Sequence, residues 1–478
     1  MKRIAIIGGG ISGLAAAYIL EKKRQSGTPI GYILFESSPR FGGVIRTEQI
    51  EGCVVEGGPD SFLTEKPWAT ELCNKIELSG QLIGSNDSER KTYILAKGKL
   101  VEIPDGLMFM VPTKIMPTVR SPLFSLRTKI RMAAEWFHPR RQATEDETVA
   151  DLVRRHYGAE VVELLADPLL SGVYGGEASQ LSVRAVLPRF ADMESKHGSL
   201  GRAVLAARKD QNKDQKVIAA QNAPPRPLFT SLKKGMQQMI DALLARLDEK
   251  ALQRNSPVQS VIRQDNGWTV CAGYQTDHFD AVIIAIPTYG AASLLEGTDP
   301  DLSRDLSEIR YSSSVTVALG YDEKVRRLLP PGFGFLVPRS AGRRTLAATF
   351  VHNKFPHRAP ENRALIRCFL GGARDEQILE SNEREILQIV RDELRQILGR
   401  ALDAEPRFAR VYKWKSAMAQ YSVGHLERVQ RIESLRQNLP GLALAGNGYN
   451  GIGIPDCVRS GTEAASKILA EMGMWSSA

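Results

Sequence analysis

The residues from Arg3 to Tyr18 leave few choices of fold. A short apolar run, Arg3 to Ile7, meets Gly8-Gly9-Gly10-Ile11-Ser12-Gly13 and passes into Leu14-Ala15-Ala16-Ala17-Tyr18. This is G-x-G-x-x-G between an expected strand and an expected helix, the context that makes the pattern a dinucleotide fingerprint. Gly8 permits the tight turn, Gly10 lets a pyrophosphate reach the backbone, and Gly13 lets helix and strand pack closely. The helix start, at Ile11 and Ser12, offers free N–H groups and a positive dipole end to the phosphates. Tyr32-Ile33-Leu34-Phe35 reads as a second strand ending at Glu36-Ser37. An acid about 20 residues past the glycines suits a ribose hydroxyl.

The fingerprint alone serves NAD and FAD alike, and two further features favour FAD. Arg40-Phe41-Gly42-Gly43, with Arg46 and Thr47 beyond it, is similar to the second signature of the FAD amine-oxidase-like superfamily. There, small residues let the diphosphate and ribitol lie against bare backbone. At the other end of the chain, Leu442 to Ala445 reads as a buried strand running into Gly446-Asn447. Gly451-Ile452-Gly453-Ile454-Pro455-Asp456 then leads into a helix expected to begin near Cys457. Pro and Asp are ordinary start signals. The positive end of that helix would stabilise negative charge on a reduced flavin. A simple nicotinamide dehydrogenase needs no such return.

A chain of 478 residues suits two or three domains. The fold class expected is α/β (an α+β multidomain chain), with a Rossmann-like discontinuous FAD-binding domain at 1–80, 228–288 and 405–478. A mixed-sheet substrate domain is expected at 187–227 and 289–404, and a mainly helical membrane-binding or cleft domain at 81–186. Within the FAD-binding part, the sequence predicts a helix from Gln237 to Leu247 and strands at Pro257–Ile262, Trp268–Val270 and Asp280–Pro287. Val258 is a candidate for backbone contact with adenine. Residues 202–227, rich in Lys and Pro, read as a mobile linker. Ser312–Leu319 is expected as a strand and Glu383–Leu398 as a helix.

Other classes are excluded on residue patterns. The five cysteines and seven histidines show no ligand spacing, so no metal and no disulfide frame is expected, and the thiols fit a reducing, cytoplasmic setting. Met1-Lys2-Arg3 runs straight into a strand, so no signal peptide is expected. No stretch of about 20 apolar residues reads as a membrane span. The net charge of +9 comes without any nucleic-acid-binding motif, so nucleic acid is not expected as a partner. Basic residues instead concentrate between Leu107 and Arg141, interleaved with Met116, Leu126, Trp136 and Phe137. That mixture fits peripheral contact with an anionic lipid surface.

Four blocks, in order, carry a resemblance over nearly the whole chain. They are Glu56-Gly57-Gly58-Pro59-Asp60-Ser61-Phe62; Leu169-Leu170-Ser171-Gly172-Val173-Tyr174-Gly175-Gly176 followed by Leu181-Ser182; Gly332-Phe333-Gly334-Phe335-Leu336-Val337-Pro338; and Gly446-Asn447 through Cys457. With these the chain resembles the oxygen-dependent protoporphyrinogen oxidases of the FAD-containing amine-oxidase/phytoene-desaturase superfamily. The resemblance implies a porphyrinogen substrate, FAD and O2. Gly57, Gly58, Pro59, Asp60 and Trp414 join the fingerprint residues as expected FAD contacts. Phe333 and Leu336 would flank the macrocycle on one side, and Leu169 and Gly172 on the other, the missing side chain of Gly172 leaving room for a ring. A flat apolar ligand needs such walls and few polar anchors. Family members often carry a basic residue where Thr92 stands, so Thr92 replaces the expected propionate anchor. The Pro usual before Gln420 is Ala419 here.

No protein residue is assigned as catalytic. The expected chemistry is hydride transfer from a bridge carbon to flavin N5, three times over, with O2 reduced to H2O2. The alternatives are coproporphyrinogen III as substrate, an amine oxidase or carotenoid desaturase, and a non-catalytic binding protein like the GDP-dissociation inhibitors. The sequence leaves the oligomeric state open, a homodimer included.

Overall fold

The computed structural model describes residues 1–141, 145–207 and 227–474. Five parallel strands form the first layer, in the order Leu252–Gln253, Ile30–Phe35, Lys2–Ile7, Ala281–Ile284, Leu442–Leu444. Strands of a parallel sheet are covered on both faces and so read as near-continuous apolar runs. The buried Ile4, Ala5, Ile6 and Ile7 and the buried run Ala281–Ile284 do so. The sheet draws strands from three distant parts of the chain. The sheet is therefore discontinuous in sequence.

Two helices lock this layer. Ile11–Gln25 follows the fingerprint, and Ile454–Glu471 crosses it. A Cβ on Gly461 would stand 1.9 Å from the Ser12 carbonyl oxygen, so only glycine allows the crossing. The C-terminal helix starts at Ile454, three residues before the Cys457 expected from sequence. Pro455 sits in its first turn, where its missing N–H costs nothing. The helix after Gly235 spans Gln237–Leu244 rather than reaching Leu247. A strand that the sequence reading missed, Gln275–Phe279, completes a three-stranded antiparallel meander with Val258–Gln264 and Gly267–Ala272. Its exposed polar residues (Gln275, Thr276, His278) carry no apolar alternation.

The second layer is a seven-stranded mixed sheet. Its order is Phe408–Ala419, Tyr311–Asp322, Arg363–Gly371, Thr345–Phe350, Gly334–Leu336, Thr92–Ala96, Lys99–Glu102. Helix Glu383–Leu398 covers one face, matching the sequence expectation residue for residue. The sheet takes Thr92–Ala96 and Lys99–Glu102 from the segment read as mainly helical (81–186), and Phe408–Ala419 from the segment read as FAD-binding. Strand residues carry no local mark of which sheet they will join. Residues 200–207 are helical, so the described start of the expected 202–227 linker is not a loop; 208–226 lie outside the described residues. Among the described residues no helix is long and apolar enough to cross a membrane.

Candidate active site

The nucleotide end is built from glycines of two kinds. Gly8 and Gly13 are small because protein is close: a Cβ on Gly13 would lie 1.9 Å from the Gly8 oxygen, and one on Gly8 2.6 Å from the Ala285 oxygen. Gly10 differs. A Cβ there would meet no atom within 4 Å, so its bare backbone faces open space. Gly43 lies against Gly10, its missing Cβ 3.4 Å from the Gly10 Cα and its φ of +57° in the region glycine favours. The two glycine signatures therefore meet here, beside a space that the described residues leave open on the Gly10 side. Arg40 closes the second signature by donating to the Ile45 carbonyl at 3.0 Å and to the Gly43 carbonyl.

Glu36 stands beside that space. Its Oε2 accepts from the Gly9 N–H at 2.7 Å and its Oε1 from the Ser38 N–H at 2.8 Å. Oε2 keeps a lone pair, enough for a ribose hydroxyl. Ser37 is exposed, with its Oγ 3.4 Å from Glu36. Ile11 and Ser12 are buried at the helix start. Val258 follows a stretch tied to Glu36 by the Ser256 N–H at 2.9 Å, and an irregularity breaks its strand pairing between Val258 and Ser260.

The other end is braced harder. A Cβ on Gly58 would stand 1.9 Å from the Val44 oxygen, and one on Gly57 2.7 Å from the Tyr412 ring. Trp414 donates from its indole to the Gly57 carbonyl at 2.8 Å. Below Pro59 and Asp60 lies a buried ionic cluster. Arg358 contacts Glu56 at 2.5 Å, and Lys354 reaches Asp60 at 3.1 Å. Asp60 is held well below the usual carboxylate range by Lys354 and Arg367, against the opposing effect of burial, which is the largest single influence on it.

The turn before the C-terminal helix is held by a stacked pair. Tyr421 and His425 lie ring on ring, 4.0 Å apart. The Tyr421 hydroxyl donates to the Asn447 carbonyl at 2.7 Å and accepts from the Gly451 N–H at 2.8 Å; His425 Nε2 lies 2.8 Å from the Tyr449 carbonyl. Asn447 donates its side-chain amide to the Ala417 carbonyl at 2.9 Å, and the Gly446 N–H donates to Ser460 at 3.1 Å. Gly453, Ile454 and Pro455 are thereby fixed at the helix start, where Asp456 is paired with Lys66 at 2.7 Å.

The candidate cleft lies against the second sheet. In the parallel pair, Gly334 stands beside Thr92 and Leu336 beside Ile94. Alternation then puts Thr92, Ile94 and Leu336 on one face. Helix Asp167–Tyr174 packs on that face, and a Cβ on Gly172 would be 3.7 Å from Leu336 Cδ2. Leu169 packs into the same apolar cluster as Leu336. Phe333 is buried just before the strand, its N–H donating to the Lys91 carbonyl at 2.7 Å. Lys91 is paired with Glu102. The helix is pinned by Arg374, which donates to Asp167 at 3.1 Å, and by Gln420, which donates to the Tyr174 carbonyl at 2.7 Å. A separate polar cavity of about 940 Å³, lined by Gln180, Arg310, Ser312, Gln420 and Arg428 among others, holds none of the predicted substrate residues.

Arg358, Arg367, Tyr421 and His425 are not among the residues expected from sequence. Isolated Arg, Tyr and His residues in strands and helices carry no local signal.

Residues 11–469 match the family of flavin containing amine oxidoreductases. The chain belongs to that family. Among the amine oxidoreductases' relatives, coproporphyrinogen III oxidase of Bacillus subtilis (strain 168) is 34% identical over 98% of both chains. Protoporphyrinogen oxidase 2, chloroplastic/mitochondrial, of Arabidopsis thaliana is 28% identical over 98% of this chain and 94% of that one. The crystal structure of a candidate protoporphyrinogen oxidase from Exiguobacterium sp. 255-15 superposes with a TM-score of 0.86 at 29% identity, covering 99% of each chain. FAD is the cofactor of this oxidoreductase, and the residues fit it: the space over Gly10 is open, and any side chain there would intrude on it.

Proposed function

We propose that the chain is a flavin-dependent porphyrinogen oxidase of heme biosynthesis. The observation that carries this reading is the packing of helix Asp167–Tyr174 on the face bearing Thr92, Ile94 and Leu336, where a Cβ added to Gly172 would only just touch Leu336, in a chain whose whole length is similar to porphyrinogen oxidases. Bound FAD supplies two-electron acceptance at N5 and, in this reading, delivery of those electrons to O2 as H2O2. The protein's own part is placement. Gly10, Gly13, Glu36, Gly42 and Gly43 take the nucleotide end of FAD. Gly57, Gly58, Trp414, Asn447 and the start of helix Ile454–Glu471 border its ring. Leu169, Gly172 and Leu336 form the walls that hold a macrocycle bridge carbon at reacting distance and keep water out. Such placement supplies much of the rate enhancement where no proton must be taken by a strong base.

Six hydrogens leave the macrocycle in three two-electron steps, with three O2 becoming three H2O2. Of the two substrates, coproporphyrinogen III is favoured by the higher identity to the Bacillus subtilis enzyme. Protoporphyrinogen IX is favoured by Thr92, which brings no cation for a propionate. Anaerobic mixing with each porphyrinogen decides both points. Rapid bleaching of the flavin, then recolouring and porphyrin fluorescence on admitting air, is the expected result with at least one of them. A flavin that stays oxidised with both would refute the assignment.

Peripheral membrane contact belongs to the same proposal. Ile115, Met116, Leu126, Ile130 and Phe137 are all more than half exposed, within a segment that also carries Lys114, Arg127 and Lys129. Apolar residues set among basic ones suit insertion beside anionic headgroups. Co-sedimentation with phosphatidylglycerol vesicles should be strong at low salt and should weaken in Leu126→Glu/Phe137→Glu. Equal pelleting with and without vesicles would dismiss it.

A further inference from the structure

The geometry points to Arg367 as the residue that sets the flavin's readiness to be reduced, through a buried charge cluster that carries one more cation than anion. The inference rests on the reading that Gly57–Asp60 borders the flavin ring. Five charged side chains, each less than a sixth exposed, form the cluster: Glu56 and Asp60 against Lys354, Arg358 and Arg367. Arg358 is committed to Glu56 at 2.5 Å, and Lys354 to Asp60 at 3.1 Å. Arg367 is left over. It approaches Asp60 only at 3.4 Å, on a carboxylate already engaged, and donates to the neutral carbonyl of Gly58 at 2.5 Å. Among the described residues its Nε has no hydrogen-bond partner, although the side chain is 2% exposed. Burial works against the charge, yet an arginine does not give up its proton in a protein.

A buried cation without its own anion is costly, because it gives up its hydration for incomplete pairing. Its position indicates what compensates it. Arg367 pairs in register with Thr349, and Thr349 with Gly334. Arg367 therefore projects from the sheet face that bears Leu336 and the candidate cleft, and its guanidinium ends on Gly58 beneath the expected cofactor. Transfer of two electrons and one proton to a neutral flavin leaves one negative charge, the one this cluster lacks. In a site screened from water, that attraction acts at low effective dielectric. Arg367 thus favours the reduced state and speeds the first half-reaction without touching substrate, which makes it a positioning and tuning residue.

The test is made on holoenzyme, with readouts that do not depend on turnover. They are the redox equilibrium against a reference dye, and the dissociation constant for sulfite, an anion that adds to oxidised flavins. Arg367→Met should shift the two-electron equilibrium at least about tenfold toward the oxidised form, about 30 mV. It should weaken sulfite binding by a similar factor. Arg367→Gln, which keeps a donor for the Gly58 carbonyl but no charge, should do the same and carries the test if the Met variant does not fold. Arg367→Lys should stay close to wild type. A wild-type potential in either neutral variant, with flavin still bound, overturns the inference. A wild-type protein that binds no flavin would instead overturn the reading on which it rests.

Discussion

Gly172→Leu should lower turnover about a hundredfold or more while leaving the flavin bound and the fold intact. A Cβ at Gly172 already stands 3.7 Å from Leu336 Cδ2, an ordinary contact distance. Everything beyond that Cβ must occupy the open space beside Leu336. A flat macrocycle seated against Gly172 and Leu336 would be pushed outward by the added side chain, and misplacement of about 1 Å can cost about a hundredfold in rate. The helix itself should not suffer. Gly172 lies inside Asp167–Tyr174, is exposed and has no positive φ, and leucine favours an exposed helix position over glycine by up to about 1 kcal/mol. Thermal unfolding should therefore be unchanged or slightly higher, and the flavin absorbance should remain. Gly172→Ala places only the Cβ and should keep most activity. The pair separates blocking from misfolding. Wild-type kcat/KM in the leucine variant would mean that the substrate binds elsewhere.

The parts of this molecule written in local patterns were legible, and the parts made by distant meetings were not. Gly8, Gly10 and Gly13 announce themselves because turn, ligand and helix demand glycine at fixed spacing. The same logic extends to Gly42-Gly43 and to Gly453-Ile454-Pro455. It stops at Gly461, whose reason for being glycine is the Ser12 carbonyl of a helix more than 400 residues away in sequence. Thr92–Ala96 pairs in parallel with Gly334–Leu336, and neither strand carries a hint of the other. The helix start was misread by three residues because Gly453-Ile454-Pro455 looks like a turn until Asp456 is seen to cap it from inside, receiving the Gly453 N–H at 3.3 Å. Arg358 and Arg367 read as ordinary arginines in a basic chain. Only burial reveals what they hold.

Removing one half of the Glu56–Arg358 pair should be the most destabilising single change in the FAD-binding half. Arg358 is 1% and Glu56 2% exposed. The guanidinium also donates to Ser231 Oγ at 2.6 Å and to the Leu232 carbonyl at 3.2 Å. The carboxylate also accepts from Thr47 Oγ1 at 2.6 Å and from the Met236 N–H at 2.8 Å. One ion pair thus ties together strand Cys53–Glu56, strand Phe229–Leu232 and the start of helix Gln237–Leu244. Arg358→Met leaves the buried carboxylate hydrogen-bonded to neutral donors only, with Arg367 acting on it from a distance, a loss on the order of 3–5 kcal/mol. That should lower the unfolding midpoint of the 478-residue chain by roughly 3–5 °C. Adding Glu56→Gln removes the stranded charge, so the double variant should recover part of the loss, a non-additivity expected of residues in contact. FAD should offset some of the loss in proportion to its free concentration, because it binds only the folded cradle. Scanning calorimetry with and without added FAD measures all three effects. An Arg358→Met midpoint within a degree or two of wild type would show that Glu56 is held by its neutral donors alone, and that the cluster beneath the flavin signature is looser than its distances imply.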